Sequence, residues 1–272
     1  FVPSYRFRFS PWCEKMRDDS LEALRSVNGV QVVVPEAAPE DTEPDPANGT
    51  TSTGAVSGLD EGEGVAEFFR KENIDGLVLC PLDFGDERSA SKIAEKLNVP
   101  VLLYATKEPP AVEDASLARQ SDSYCGNLSM ASALYRRKLP FHYAGIFFPD
   151  DPAFSAAVET FVQTTAVVKG LHNARIGQVG VRPMTFETVG HDEAAMIAKF
   201  GQNVIYTNLS DIVAMARGYA DDDSKVLDVL KGIKDSAAEI TVADDHLQNA
   251  ARVEAALIEF WERYGLSAMA VQ

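Results

Sequence analysis

Ala174-Arg175-Ile176-Gly177-Gln178-Val179-Gly180-Val181-Arg182-Pro183-Met184 is an apolar strand that runs straight into a polar loop. Phe200-Gly201-Gln202-Asn203-Val204 follows, and Asp211 opens the helix after that. Short apolar runs alternating with amphipathic stretches are the signature of βαβ units and a parallel sheet. In an open α/β sheet, ligands bind at the loops that leave the carboxyl ends of strands. A loop with one guanidinium, a rigid proline and a flexible thioether suits a small polyhydroxylated ligand. Taken singly, Arg182 also reads as a loop cap or a partner for Asp192 or Glu193, and Met184 as core filler.

The same rhythm extends outward. Apolar runs predict strands at 30–34, 76–80, 99–104, 143–148, 175–181, 203–206, 239–242 and 268–271. Helical patterns fill the intervals at 11–27, 62–72, 86–97, 127–138, 152–169, 191–200, 209–218, 223–237 and 244–264. Asp150-Asp151-Pro152 offers a cap with proline in the first turn, and Asp211 and Asp222 sit at helix starts. The expected class is α/β, with two Rossmann-like or flavodoxin-like three-layer domains and mainly parallel sheets. The junction fits best at 148/149, giving domains 1–148 and 149–272. The stretch 35–64, rich in proline and acids, reads as a mobile, solvated acidic insert.

The 272 residues are 46% hydrophobic and 24% charged, ordinary values for a globular protein. A formal charge of −16 argues against a nucleic-acid partner, which needs clustered Lys and Arg. Cys13, Cys80 and Cys125 form no Cys-x-x-Cys and no close pair, which reads as reduced thiols. No run is long enough to span a membrane and no signal peptide is visible, so a cytoplasmic location is expected. Phe1-Val2-Pro3 reads as the tail of a first strand, and 267–272 as a strand stopping before its loop. The expectation is a fragment of a longer enzyme.

Neither a phosphate-binding G-x-x-x-x-G-K-[ST] nor a G-x-S-x-G elbow is present. The four histidines lie far apart, and His191-Asp192-Glu193 reads as helix capping before metal binding. Ser121-Asp122-Ser123-Tyr124-Cys125-Gly126-Asn127-Leu128-Ser129 is a polar loop opening a small-residue helix. Its amides suit a hydroxyl or an anion; read as structure only, it is a tight turn and close helix packing at Gly126. Asp83, Asp86, Glu87 and the acids at 221–223 read as solvated surface or helix starts.

Asp122-Ser123, Cys125-Gly126, Leu128-Ser129 and Leu139-Pro140-Phe141 resemble the first-domain pattern of the L-fucose isomerase-like / L-arabinose isomerase superfamily. Ile176-Gly177, Gly180, Arg182-Pro183-Met184, Phe200-Gly201 and Asp211 resemble the second-domain pattern, and 264–272 the passage into a third domain. The resemblance leaves the 35–64 insert outside. It implies aldose–ketose isomerisation through an enediol held by a divalent metal, usually Mn2+. It places the metal ligands and the catalytic base in a domain beyond residue 272, so none is assigned in this chain. It implies substrate contacts at Arg6 or Arg8, Phe84, Arg182, Met184 and Gln272, and a homo-oligomer, a trimer or hexamer, sharing its sites. If 5–9 is a strand, alternation puts both arginines on one face; two exposed edge arginines is the plainer reading. The alternatives are a non-catalytic sugar-binding or sensor protein, or a degenerate isomerase homologue.

Overall fold

The computed structural model describes residues 1–108 and 120–272. They divide into two compact units, Phe1–Val168 and Lys169–Gln272. The first runs β1 (Val2–Ser4), α1 (Pro11–Arg25), β2 (Glu36–Ala37), β3 (Thr50–Thr51), α2 (Leu59–Lys71) and β4 (Leu77–Pro81). It continues through α3 (Glu87–Leu97), β5 (Val101–Thr106), α4 (Ser123–Arg136), β6 (His142–Phe147) and α5 (Pro152–Leu171). Its main sheet has the order β1-β4-β5-β6, and every pairing is parallel.

Burial on both faces explains why β5 reads as an unbroken Val-Leu-Leu-Tyr-Ala-Thr run, all of it buried. Leu77, Leu79, Val101 and Leu103 face the apolar sides of α2, α3 and α4. Cys80, Leu102 and Tyr104 face α1 and α5 through Cys13, Met16, Phe154, Val158 and Phe161. These two layers around one sheet bear out the α/β expectation. Burial pushes the Cys80 thiol up to about 12 and raises Cys13 as well, so both stay protonated. The compact units divide one helix later than the expected junction, because Phe154, Val158 and Phe161 of α5 pack into the first unit's core.

One expected strand and the acidic stretch of the first unit resolve differently. Residues 30–34 form no strand. The free side of β1 is taken instead by Val56, whose amide donates to the Pro3 carbonyl and whose carbonyl accepts from Tyr5. Val30, Val32 and Val34 still pack against the core. The acidic stretch is more than a solvated insert, since β2 and β3 pair in parallel and Thr51, Ala55 and Val56 are buried. Its average composition conceals the short apolar Ala55-Val56 pair.

In the second unit, β7 (Arg175–Val179), α6 (Glu193–Phe200), β8 (Asn203–Thr207) and α7 (Leu209–Gly218) come first. Then follow α8 (Ser224–Ser236), α9 (Asp244–Tyr264) and β9 (Ala268–Val271). The strands form a parallel sheet ordered β8-β7-β9. Val179, Ile205 and Met269 cover one face against Ile212 and Ala216 of α7 and Ala256 and Phe260 of α9. Gly177 permits that closeness, because a Cβ there would lie 2.6 Å from Leu266 and 3.0 Å from Phe260. The run at 239–242 is no strand; it links α8 to α9 with Ile240 and Val242 exposed. Four residues of alternation do not separate a strand from a connection.

Phe154→Ala removes a fully buried ring whose centroid lies 4.5 Å from that of Tyr104, tilted by 39°. Urea unfolding is expected to show a loss of about 3–5 kcal/mol; a loss below about 1 kcal/mol would contradict the placement of α5 in the first core.

Candidate functional site

The carboxyl edge of the first sheet gathers the loops after β1 and β4, and one carboxylate joins them. Asp83 is 6% exposed. Its Oδ1 accepts from the amides of Arg6 at 2.9 Å and Gly85 at 2.7 Å, and its Oδ2 from Phe7 at 2.9 Å and Arg8 at 3.4 Å. The 5–9 segment is therefore a loop wrapped round a buried charge, not a strand with alternating faces. Asp83 is thus neither the solvated surface nor the helix start that the sequence suggests, but a buried acceptor for main-chain amides. Nothing in the spacing between Arg6 and Asp83 signals the contact.

Arg6 and Phe84 come together on this frame. The Arg6 guanidinium lies 4.6 Å from the Phe84 ring centroid and ion-pairs with Glu87, while the Phe7 ring meets Phe84 edge-on at 6.1 Å. Arg8 is exposed beside them. Below the loop, Gly126 of α4 sits against the Phe84 main chain, where a Cβ would be 1.9 Å from the carbonyl oxygen. The close-packing reading of Gly126 is the one the structure holds.

The amides at the start of the 121–129 motif, Ser121 and Asp122, already have an anion. Glu108 accepts from Gln120 at 2.9 Å and Asp122 at 2.7 Å, and from the Ser121 hydroxyl at 2.8 Å. Ser123 accepts from the Thr106 amide at 3.0 Å and donates to the Pro81 carbonyl, tying β4 to β5. Asp86 caps α3 through the Arg88 amide, as read, and also accepts from Gly58 at 2.9 Å.

In the second unit, Gly180 leaves β7 at φ +83°, and the Gln272 side chain occupies the space a Cβ would need. Gln272 Oε1 accepts from Val181 at 3.3 Å, closing the start of the Arg182 loop. Arg182 reaches the Glu187 carbonyl at 3.5 Å. Asp192 instead caps α6 through Ala195, and Glu193 accepts from the Tyr206 hydroxyl, so the proposed pairing of Arg182 with either acid is replaced. Met184 is 99% exposed and fills no core. Arg6, Arg8 and Phe84 thus form one set, and Arg182, Met184 and Gln272 another in the other compact unit.

Residues 46–172 match the fucose/sulfoquinovose isomerase N-terminal domain. That stretch belongs to the L-fucose isomerase-like family. The resemblance read from the motifs is borne out there. No curated protein matches the chain. The matched part of this isomerase-family domain includes β4, Phe84, Gly126 and all of α5, and it ends before the Arg182 loop. It starts at Pro46, so part of the acidic stretch lies inside the family pattern, not outside it. No helix among the described residues is long and apolar enough to cross a membrane.

The acids that order this isomerase-family domain also set its response to pH. Burial works to raise Asp86, but the Arg88 guanidinium and the Arg88 and Gly58 amides outweigh it and hold the carboxyl below its ordinary value. Burial of Glu108 is likewise outweighed by the amides of Gln120, Asp122 and Ser121 and by the Ser121 hydroxyl. A depressed carboxyl stabilises the fold above its unfolded pKa, and the contribution disappears as pH falls through the folded value. Thermal stability is expected to drop below about pH 4, with a shallower drop in Asp86→Asn and Glu108→Gln; an unchanged slope in both would refute the assignment.

Asp83→Ala leaves four main-chain amides without their acceptor. A loss of about 1.5–3 kcal/mol is expected, with faster amide exchange at residues 6–8. Unchanged exchange there would show that the loop holds itself.

Proposed function

We propose that the chain supplies substrate-contacting surfaces of an aldose–ketose isomerase that works through an enediol. The observation that carries this reading is the Arg6–Phe84 pair, set on the carboxyl edge of a sheet whose part from Pro46 onward, Phe84 included, matches the fucose/sulfoquinovose isomerase N-terminal domain. A guanidinium donates to the hydroxyls of a sugar, and a neighbouring aromatic ring offers an apolar face for its C–H groups. Arg8 extends the donor surface, and Arg182, Met184 and Gln272 are the corresponding contacts of the second unit. The proposed assembly is a cytoplasmic homo-oligomer, a trimer or hexamer.

A divalent ion such as manganese, when bound, polarises the substrate oxygens and favours the enediolate. Among the described residues, no three His, Cys, Asp or Glu side chains gather into a set that would hold one. The described residues offer that ion no ligand set, and we propose that it is held, with the base that moves the carbon-bound proton, by a domain beyond residue 272. This chain's own residues bind and orient the sugar.

The intact mass of the natural gene product is the first check, with a value well above 29.5 kDa expected. A mass close to that figure would move the reading to sugar binding without catalysis. The natural protein is then assayed with manganese across pentoses and 6-deoxyhexoses, where no interconversion at all would sink the isomerase reading. In that assay Phe84→Ala is expected to raise KM about tenfold, or about 1.4 kcal/mol of binding, with the melting temperature little changed.

A further inference from the structure

Tyr206 stands near the carboxyl end of β8, and three titratable groups meet at its hydroxyl. The hydroxyl donates to Glu193 Oε2 at 3.0 Å and lies 3.4 Å from His191 Nε2. A phenol has one proton to give, and here it goes to Glu193. The His191 contact is then a hydrogen bond only when Nε2 carries a proton and donates to the phenol oxygen. The result is a directed chain from imidazole N–H through phenol to carboxylate. Burial and the Glu193 hydrogen bond raise the Tyr206 hydroxyl above its ordinary value, which keeps it a phenol.

Strand register places more on the same face. Gln178 of β7 lies opposite Tyr206 on one side and Ala270 of β9 on the other, so these three side chains share one face of the sheet. The opposite face is the one covered by α7 and α9. Gln178 donates to the Gly180 carbonyl at 3.2 Å, at the root of the Arg182 loop. Ala270 projects little, and Tyr206 is 55% exposed, so the cluster opens to solvent at the rim where open α/β sheets take ligands.

We propose that His191, Tyr206 and Glu193 form an acid–base site that opens the ring of a reducing sugar and so interconverts its anomers. The substrate class rests on the sugar reading above, whereas the chemistry needs no metal. The Glu193 carboxylate takes the proton of the anomeric hydroxyl. The bond between the anomeric carbon and the ring oxygen breaks, its electron pair stays on the ring oxygen, and the carbonyl forms. The ring oxygen takes the Nε2 proton of the protonated His191, whose 3.4 Å contact to Tyr206 is long enough to yield to a ligand oxygen. Glu193 is left protonated and Nε2 bare. Tyr206 restores the start by accepting a proton from Glu193 and passing its own to His191. Reclosure from the other face of the carbonyl gives the other anomer.

The test follows freshly dissolved L-fucose by polarimetry and by the NMR signals of its anomeric protons, with the full chain in excess chelator. Anomers should equilibrate faster than in matched free imidazole and acetate. Tyr206→Phe, which keeps the acid and the base but cuts the relay, should lose roughly a hundredfold of the added rate, the lower end of what positioned acid–base groups contribute. Glu193→Gln, which keeps the hydrogen bond to Tyr206 but removes the base, should behave alike. Equal rates for wild type and Tyr206→Phe overturn the proposal, as does loss of the rate in chelator, which would make the cluster a metal ligand set. Anomer exchange without ketose upholds it and leaves isomerisation to its own assay. Ketose formation without faster anomer exchange sinks this inference alone.

Discussion

A buried carboxylate shared among main-chain amides is the interaction on which the carboxyl edge of the first unit depends. Parallel strands end in loops whose N–H groups have left the ladder, and amides hidden from water need acceptors. Asp83 serves four of them from two loops, Glu108 serves the approach to α4, and Asp86 serves Gly58 and the first turn of α3. The two oxygens of a carboxylate share one charge and offer several lone-pair sites, so one side chain fixes a loop that would otherwise need several. Part of the chain's acidity is therefore structural, directed inward and away from solvent.

The same arrangement places chemistry on a rigid base. Arg6 is carried on a loop whose three successive amides are tied to Asp83, and Phe84 is the next residue along from that carboxylate. Gly126 holds the opposite side of Phe84, since any side chain there would collide with its carbonyl. The guanidinium and the ring thus keep their relation through main-chain bonds. The second unit achieves a comparable end with less burial, closing its Arg182 loop by Gly180 and Gln272 across neighbouring strands.

Helices were the most legible part of the chain. The readings at 209–218 and 244–264 coincide with α7 and α9, because apolar periodicity and polar caps are local properties. The core strands β4, β5 and β7 were equally plain, being apolar runs buried on their sheet. The misread segments, 30–34 and 239–242, are apolar enough for strands, and for 30–34 what is lacking is a free edge on β1. Val56 takes the position beside β1, and no local signal says so.

Alternation of short apolar runs with amphipathic helices determined the α/β class by itself, because strand and helix periods are written residue by residue. The order of motifs around Gly126 likewise carried the family. Which carboxylate binds which amides, and which histidine meets which tyrosine, was decided only in the folded chain. Asp83 and Arg6 are 77 residues apart, and Tyr206 and Glu193 are 13 apart. Hydrogen bonds depend on distance and direction in space, and only the parallel sheet, by bringing successive carboxyl ends to one edge, supplies both.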